Sequence, residues 1–236
     1  MKKNRVESTA IKSLKYKARD FWAGYSRNRL AVVGLALLIY LIFSSILAPM
    51  LTPYPPLKLV DKALLPPSEA HPFGTDQLGR DVLSLILYGG RTSLFVATLA
   101  LVTLIFIGIS VGVLAGYYGG LIDDVLMRAT EMTMIVPSFF LALLLVAVFG
   151  SNVWILIFVI AVVLWPRLAR IVRAEFLTLR ERAFVEAARA VGVSNLRIML
   201  SEILPVALPP IIVQSSLEIA WAIMLEASLS FLGAED

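Results

Sequence analysis

Residues 181–210 read ERAFVEAARAVGVSNLRIMLSEILPVALPP and separate two long apolar runs, Val153–Val172 and Ile211–Leu232. Their local chemistry predicts two short helices. Phe184–Val191 favours helix, and Ala183, Ala187, Ala188 and Ala190 keep it slim. Gly192 supplies the left-handed residue that ends it. Ser194 is placed to cap a second helix. Pro205, Pro209 and Pro210 end that helix and start the next apolar run. Arg182 and Glu186 stand four apart, at pairing distance on a helix. The segment reads either as a plain connector or as a helix that inserts into a groove on a partner. Thirty-odd residues is long for a connector, since most connections are short.

The flanking runs set the fold class. The chain has 236 residues, 59% hydrophobic and 16% charged, with mean hydropathy +0.85. Soluble domains sit near half apolar and a quarter charged. Runs long enough to span a bilayer need about 20 apolar residues. Leu30–Leu51, Ser93–Ala115, Met132–Phe149, Val153–Val172 and Ile211–Leu232 meet or approach that length. The fold class is an all-α integral membrane protein with five predicted spans. Pro137, Pro166, Arg167, Arg170, Glu218 and Glu226 interrupt the later runs, as a polytopic bundle tolerates.

Charge gives the topology. The first 29 residues hold nine Lys or Arg against Glu7 and Asp20, and Arg167–Glu202 holds seven Arg against four Glu. Basic flanks mark the cytoplasmic side. Residues 1–29 are therefore a cytoplasmic basic tail and 30–51 a first span. Residues 52–92 are extracytoplasmic, and 93–236 form a core with spans near 93–115, 132–149, 153–172 and 211–232. The loop 173–205 is cytoplasmic. In the tail, Ile11, Leu14, Ala18, Phe21, Trp22 and Tyr25 recur at helical spacing beside Lys12, Lys15 and Arg19. They predict an amphipathic helix in the membrane interface.

Several chemistries have no support. The chain lacks cysteine, and His71 is its only histidine, so a metal site is not expected. GxxxxGK[ST], GxSxG and HExxH are all absent. The chain is not expected to bind nucleotide phosphates, to act as an enzyme, to carry a cofactor or to contact nucleic acid. Gly108, Gly112, Gly116 and Gly120 fall four apart and predict a close helix approach or, less simply, a path lining. Glu218 is the candidate acid of a translocation path, because an acid inside a span is costly. Glu226 falls near a span end, where it can reach headgroups. Pro72, Gly74, Gly79, Gly89 and Gly90 predict turns, and Asp76, Arg80 and Asp81 predict ion pairs within that stretch or a contact with a partner.

Glu186-Ala187-Ala188, Gly192 and Leu204-Pro205 resemble the EAA loop of ABC importer permeases; Glu202 stands where that pattern has an apolar residue. His71–Arg91, HPFGTDQLGRDVLSLILYGGR, is similar to the C-type permease of the dipeptide, oligopeptide and nickel class. So are Asn28-Arg29-Leu30, Val33-Gly34 and Glu226–Gly233. The resemblance implies a type I importer permease in the cytoplasmic membrane. It implies a second permease as heterodimer partner, two ATP-binding subunits that hydrolyse ATP, an extracytoplasmic solute-binding protein and surrounding lipid. The loop would dock on the ATP-binding subunit through Glu186, Ala187, Ala188, Gly192, Leu204 and Pro205. It also implies a sixth span after Gly233, beyond the apolar runs counted above. An ion-gradient-driven transporter or channel is the alternative, and it would not need the Gly192 loop.

Overall fold

A computed structural model describes residues 23–233. The predicted interfacial helix of the tail lies outside the described residues except for its last turn, where 23–25 are helical. Among the described residues there is no strand beyond one isolated antiparallel bridge, Thr75 to Asp81. The chain divides into two compact units, residues 1–91 and 92–236.

In the first unit, α1 spans Arg29–Ile46. Asn28 caps it, its Oδ1 accepting from the Leu30 and Ala31 N–H groups at 3.0 and 3.3 Å. Its surface is almost wholly apolar and exposed, from Leu30 to Ile46. In water that surface would be intolerable, whereas lipid matches it. A short α2, Ala48–Leu51, follows. Residues 52–81 are then irregular and tied by their own hydrogen bonds. The N–H groups of Val60 and Asp61 donate to the Gly79 carbonyl, and that of Leu64 donates to the Asp76 carbonyl. Gly74 and Gly79 hold φ of +73° and +79°, where an L-residue's Cβ would strike the Leu65 and Asp61 carbonyls.

Helix α3 is Val82–Tyr118. It starts eleven residues before the predicted span, and Gly89 and Gly90 lie inside it rather than in turns. Both glycines have Leu, Ile or Tyr nearby on the N-terminal side, so the apolar pattern carries the helix through them.

In the second unit the core is α6, Val153–Leu179, which buries Leu156, Ile160, Leu164, Leu168, Val172 and Phe176. Pro166 sits inside it without breaking it. Three of the four spaced glycines of α3 meet it in register. A Cβ on Gly108 would lie 3.0 Å from Leu168 Cβ, one on Gly112 2.5 Å from Val172 Cβ, and one on Gly116 2.5 Å from Phe176 Cβ. The stripe is a packing surface, as small residues permit. Gly120 is not part of it. With φ +54° it opens α4, Gly120–Ile135, and its Cβ would touch nothing within 4 Å.

The predicted span 132–149 is two elements. Helix α4 ends at Ile135, and α5 is Ser138–Phe149, with an 88° bend between them at Pro137. Proline cannot continue the helical ladder and pushes Val136 into extended backbone, φ −84° and ψ 130°. The 12 residues of α5 reach only about 18 Å at ~1.5 Å per residue.

Helix α6 continues to Leu179, into the stretch 173–205 predicted as the cytoplasmic loop. Helix α7 is Ala183–Ala190, and Gly192 has φ +77° as expected. The second short helix is not closed by Pro205, and Pro209 and Pro210 lie inside the helix that follows rather than at a break. Asn195–Arg197 (α8) passes through a π-helical turn, Ile198–Ile203, directly into α9, Leu204–Phe231. A helix accepts proline in its first turn, so Pro205 begins α9 rather than ending what precedes it. Ser194 stands at the N-cap position but makes no side-chain capping bond. Arg182 and Glu186 form no ion pair; Arg182 is the N-cap of α7, and its carbonyl accepts the Glu186 N–H at 3.2 Å. Among the described residues four helices are long and apolar enough to cross a membrane, or five if α4 and α5 count as one bent span.

Candidate docking helix and transport path

Helix α7 sits on the protein by Val185, with Ala188 half-buried against the core beside it. Val185 is fully buried, while Ala183, Glu186, Ala187, Arg189 and Ala190 are exposed. Glu186 lies in its first turn, where a carboxylate suits the helix dipole, and Arg189 in its last. On either side of the turn at Gly192, Val191 and Leu196 expose 80% and 63% of their surface. The result is a slim helix with a mixed, mostly small-residue outer face and an apolar edge. Leu204 and Pro205 are removed from that face, since they begin α9.

What holds α7 in place was not readable from spacing. Tyr117 donates its hydroxyl to Asn195 Oδ1 at 2.8 Å, across 78 residues of sequence. The Arg189 guanidinium lies 5.5 Å over the Tyr117 ring. Arg180 Nη1 donates to the Gly116 carbonyl at 3.1 Å, satisfying a C-terminal carbonyl of α3. At the start of α4, Asp123 takes a two-pronged pair from Arg173 at 2.5 and 2.6 Å. Arg180, Arg189, Tyr117 and Asn195 therefore fasten the loop to the end of α3.

In the first unit the three polar residues of 71–91 separate. Asp76 and Arg80 pair at 2.7 Å near the surface. Burial acts to raise the Asp76 pKa, but donation from the Arg80 and Leu78 N–H groups and the Arg80 guanidinium outweighs it and holds the carboxyl below the usual range. Asp81 is buried and pairs with neither. Its Oδ1 lies 2.9 Å from His71 Nδ1, and its Oδ2 accepts from the Ser84 N–H and Oγ at 2.8 and 2.7 Å. A carboxylate only accepts, so His71 carries its proton on Nδ1. Burial again raises the Asp81 pKa, and the Ser84 and His71 donors again overcome it, leaving it lowered. Thr52 bonds Ser84 in turn. The lone histidine is thus a structural member of the segment, and among the described residues no group of side chains suits a metal ion.

Glu218 is fully buried on α9, with Oε1 accepting from Gln214 at 2.6 Å. Arg167 on α6 is the cation whose field reaches it. Glu226 is also buried rather than reaching outward. Beside Arg167, a cavity of about 240 Å³ lies between α5, α6 and α9.

These features define a multi-pass α-helical membrane protein with no catalytic constellation among the described residues and a small helix presented on a glycine break. Residues 108–236 match the family described as binding-protein-dependent transport system inner membrane component, and residues 18–67 match the N-terminal TM domain of oligopeptide transport permease C. The chain belongs to the binding-protein-dependent transport system inner membrane component family. It is 38% identical over 236 residues to a dipeptide transport system permease protein of Bacillus subtilis (strain 168), covering 98% of this chain and 72% of that protein. To the dipeptide transport system permease protein of Alkalihalophilus pseudofirmus it is 39% identical over 216 residues, 91% of this chain and 71% of the relative. To the oligopeptide transport system permease protein of Bacillus subtilis it is 35% identical over 219 residues, again 91% and 71%. As a permease, the chain is a transport component rather than a catalyst, and it works with other transporter subunits.

Proposed function

We propose that this chain is the C-type permease of an ATP-driven importer of di- or oligopeptides in the cytoplasmic membrane, with its N-terminus in the cytoplasm. The observation that carries the reading is α7: an exposed helix, left-handed at Gly192, pinned by Tyr117 and Arg189 to the end of a membrane helix. The names of the relatives support peptides as cargo. A second permease completes the path, two ATP-binding subunits hydrolyse ATP, and an extracytoplasmic binding protein delivers solute. The exposed face around Glu186, Ala187 and Ala188, with Gly192 setting its angle, enters a cleft on an ATP-binding subunit. Leu204 and Pro205 fix the start of α9 behind it. Differential affinity of ATP for the closed ATPase pair drives the change, and the bundle rocks between two access states. Asp76 and Arg80, with exposed Phe73 and Leu78 beside them, face the binding protein, while Asp81 supports that surface from within. Glu218 serves the path through Arg167.

The test is uptake of a labelled dipeptide into proteoliposomes holding this chain, its partner permease, both ATP-binding subunits and the binding protein. Uptake that requires ATP and the binding protein is expected. Uptake that continues after ATP depletion and follows an imposed ion gradient would favour a secondary transporter and end this reading.

A further inference from the structure

The cavity beside Arg167 has a composition that the packing of the bundle does not require. Leu164, Met224 and Phe139 make its wall apolar, and Ser138 and Ser228 also line it, the Ser228 hydroxyl donating to the Met224 carbonyl at 2.7 Å. Arg167 is its one charge, with the guanidinium carbon 4.9 Å from the centre of the Trp221 ring. Arg167 is half-buried and makes no ion pair or hydrogen bond with the described residues. Glu218 is near enough for its field to matter, yet Gln214 holds it and it does not close on the guanidinium.

Arg167 stands 14 residues into α6, roughly 21 Å along it at ~1.5 Å per residue. That places it within a hydrocarbon core about 30 Å thick. An arginine there is costly and marks a solute path or a partner charge. Its fork of donors matches a carboxylate in two-pronged geometry, which a lysine cannot copy. Trp221 offers an apolar face next to that fork. The cavity also adjoins the break at Pro137, and transport sites recur at broken helices near the bilayer middle.

We infer that this cavity holds the C-terminal residue of a peptide in transit, its carboxylate on Arg167 and its apolar side chain against Trp221. The inference rests on the peptide-import reading. At about 240 Å³ the space is smaller than the ~300–1,000 Å³ that encloses a drug-sized ligand. It therefore takes the last residue and leaves the rest of the peptide in the path, so peptides of different length are accepted alike. A free carboxylate and an apolar last residue are the selected features.

The chain has no cysteine, so Ser228→Cys introduces a unique thiol in the cavity lining. The complete transporter carrying that change is placed in proteoliposomes, and its alkylation by N-ethylmaleimide is timed. The dipeptide Ala-Phe should slow alkylation, about tenfold when present at ten times its Kd. Its C-terminal amide should give no protection, and Arg167→Gln should abolish protection by the acid. The amide arm needs no change at Arg167, so it decides the matter even if that variant folds poorly. Equal protection by acid and amide, or no protection by either, overturns the site. Protection by octanoate equal to that by Ala-Phe identifies a site for any amphiphilic carboxylate and also overturns it. Dipeptide uptake by unmodified transporter is measured in parallel: uptake without protection removes the site alone, and absence of uptake removes the import reading.

Discussion

Two polar stretches interrupt the apolar chain, residues 52–81 and residues 180–203, and they spend their polar groups in opposite ways. The first turns inward. Asp81 accepts from His71 and Ser84, and Thr75 Oγ1 both donates to the Lys62 carbonyl and accepts from the Leu65 N–H. The second turns outward. Glu186 and Ala187 on α7 are exposed, and its few bonds, from Tyr117 and Arg180, go to the end of a membrane helix. A closed network makes a stable platform. An open helix on a few fastenings makes a part that another protein can move. On the proposed function, the first is a surface that a binding protein meets and the second a lever that an ATP-binding subunit pushes.

Each side of the comparison can be broken. The largest effect is expected from Asp81→Ala, which strands the His71 Nδ1–H and two Ser84 donors in a buried site. At about 1–3 kcal/mol for each buried group left unsatisfied, several kcal/mol should be lost. The purified protein should melt earlier and be cut within 52–81 by protease, while α7 remains intact. Cleavage confined to 180–203 instead would contradict the inward reading.

Gly192→Val should come next. Valine at φ +77° costs on the order of 1–2 kcal/mol and reorients α7 without touching the spans. Membrane insertion and yield should hold, while ATP hydrolysed per peptide transported should rise sharply. An unchanged ratio would remove Gly192 from the coupling path. Tyr117→Phe is milder: losing its bond to Asn195 should cost about 1 kcal/mol, and faster proteolysis of 180–203 is the readout.

Acid gives the smallest effect and separates the regions again. Asp76 and Asp81 have folded-state pKa values below their ordinary one. Their contribution is present above the unfolded value of about 3.9 and is lost as pH falls through the folded value. Protease protection of 52–81 should therefore weaken below about pH 4. Protection that instead strengthens on acidification would reverse the sign.

The sequence made the outward stretch more legible than the inward one. Helix α7 and its glycine turn follow from local chemistry, because Ala-rich segments and a left-handed residue act within a few positions. The fastenings of α7 do not, since Tyr117 and Asn195 stand 78 positions apart and neither is unusual where it stands. The apolar runs located the membrane helices but not their joints. Pro137 was visible within 132–149, yet hydropathy is blind to an 88° change of direction. Likewise the run 195–231 is nearly one helix, although Pro205, Pro209 and Pro210 within it suggested a break. His71 looked idle as a lone histidine, and only folding brought Asp81 and Asp61 to its two nitrogens at 2.9 and 3.8 Å.

The central claim is that α7 is the part on which an ATP-binding subunit acts. Ala187→Cys introduces a single thiol on the exposed face of α7 in a chain that otherwise has none. In membranes containing the whole transporter, a short thiol-to-amine cross-linker should join that position to an ATP-binding subunit. The yield should change when ATP is added. A cysteine at Leu64, exposed within 52–81, should give no such product. Cross-linking to the ATP-binding subunit from Leu64 and not from Ala187 would contradict the account.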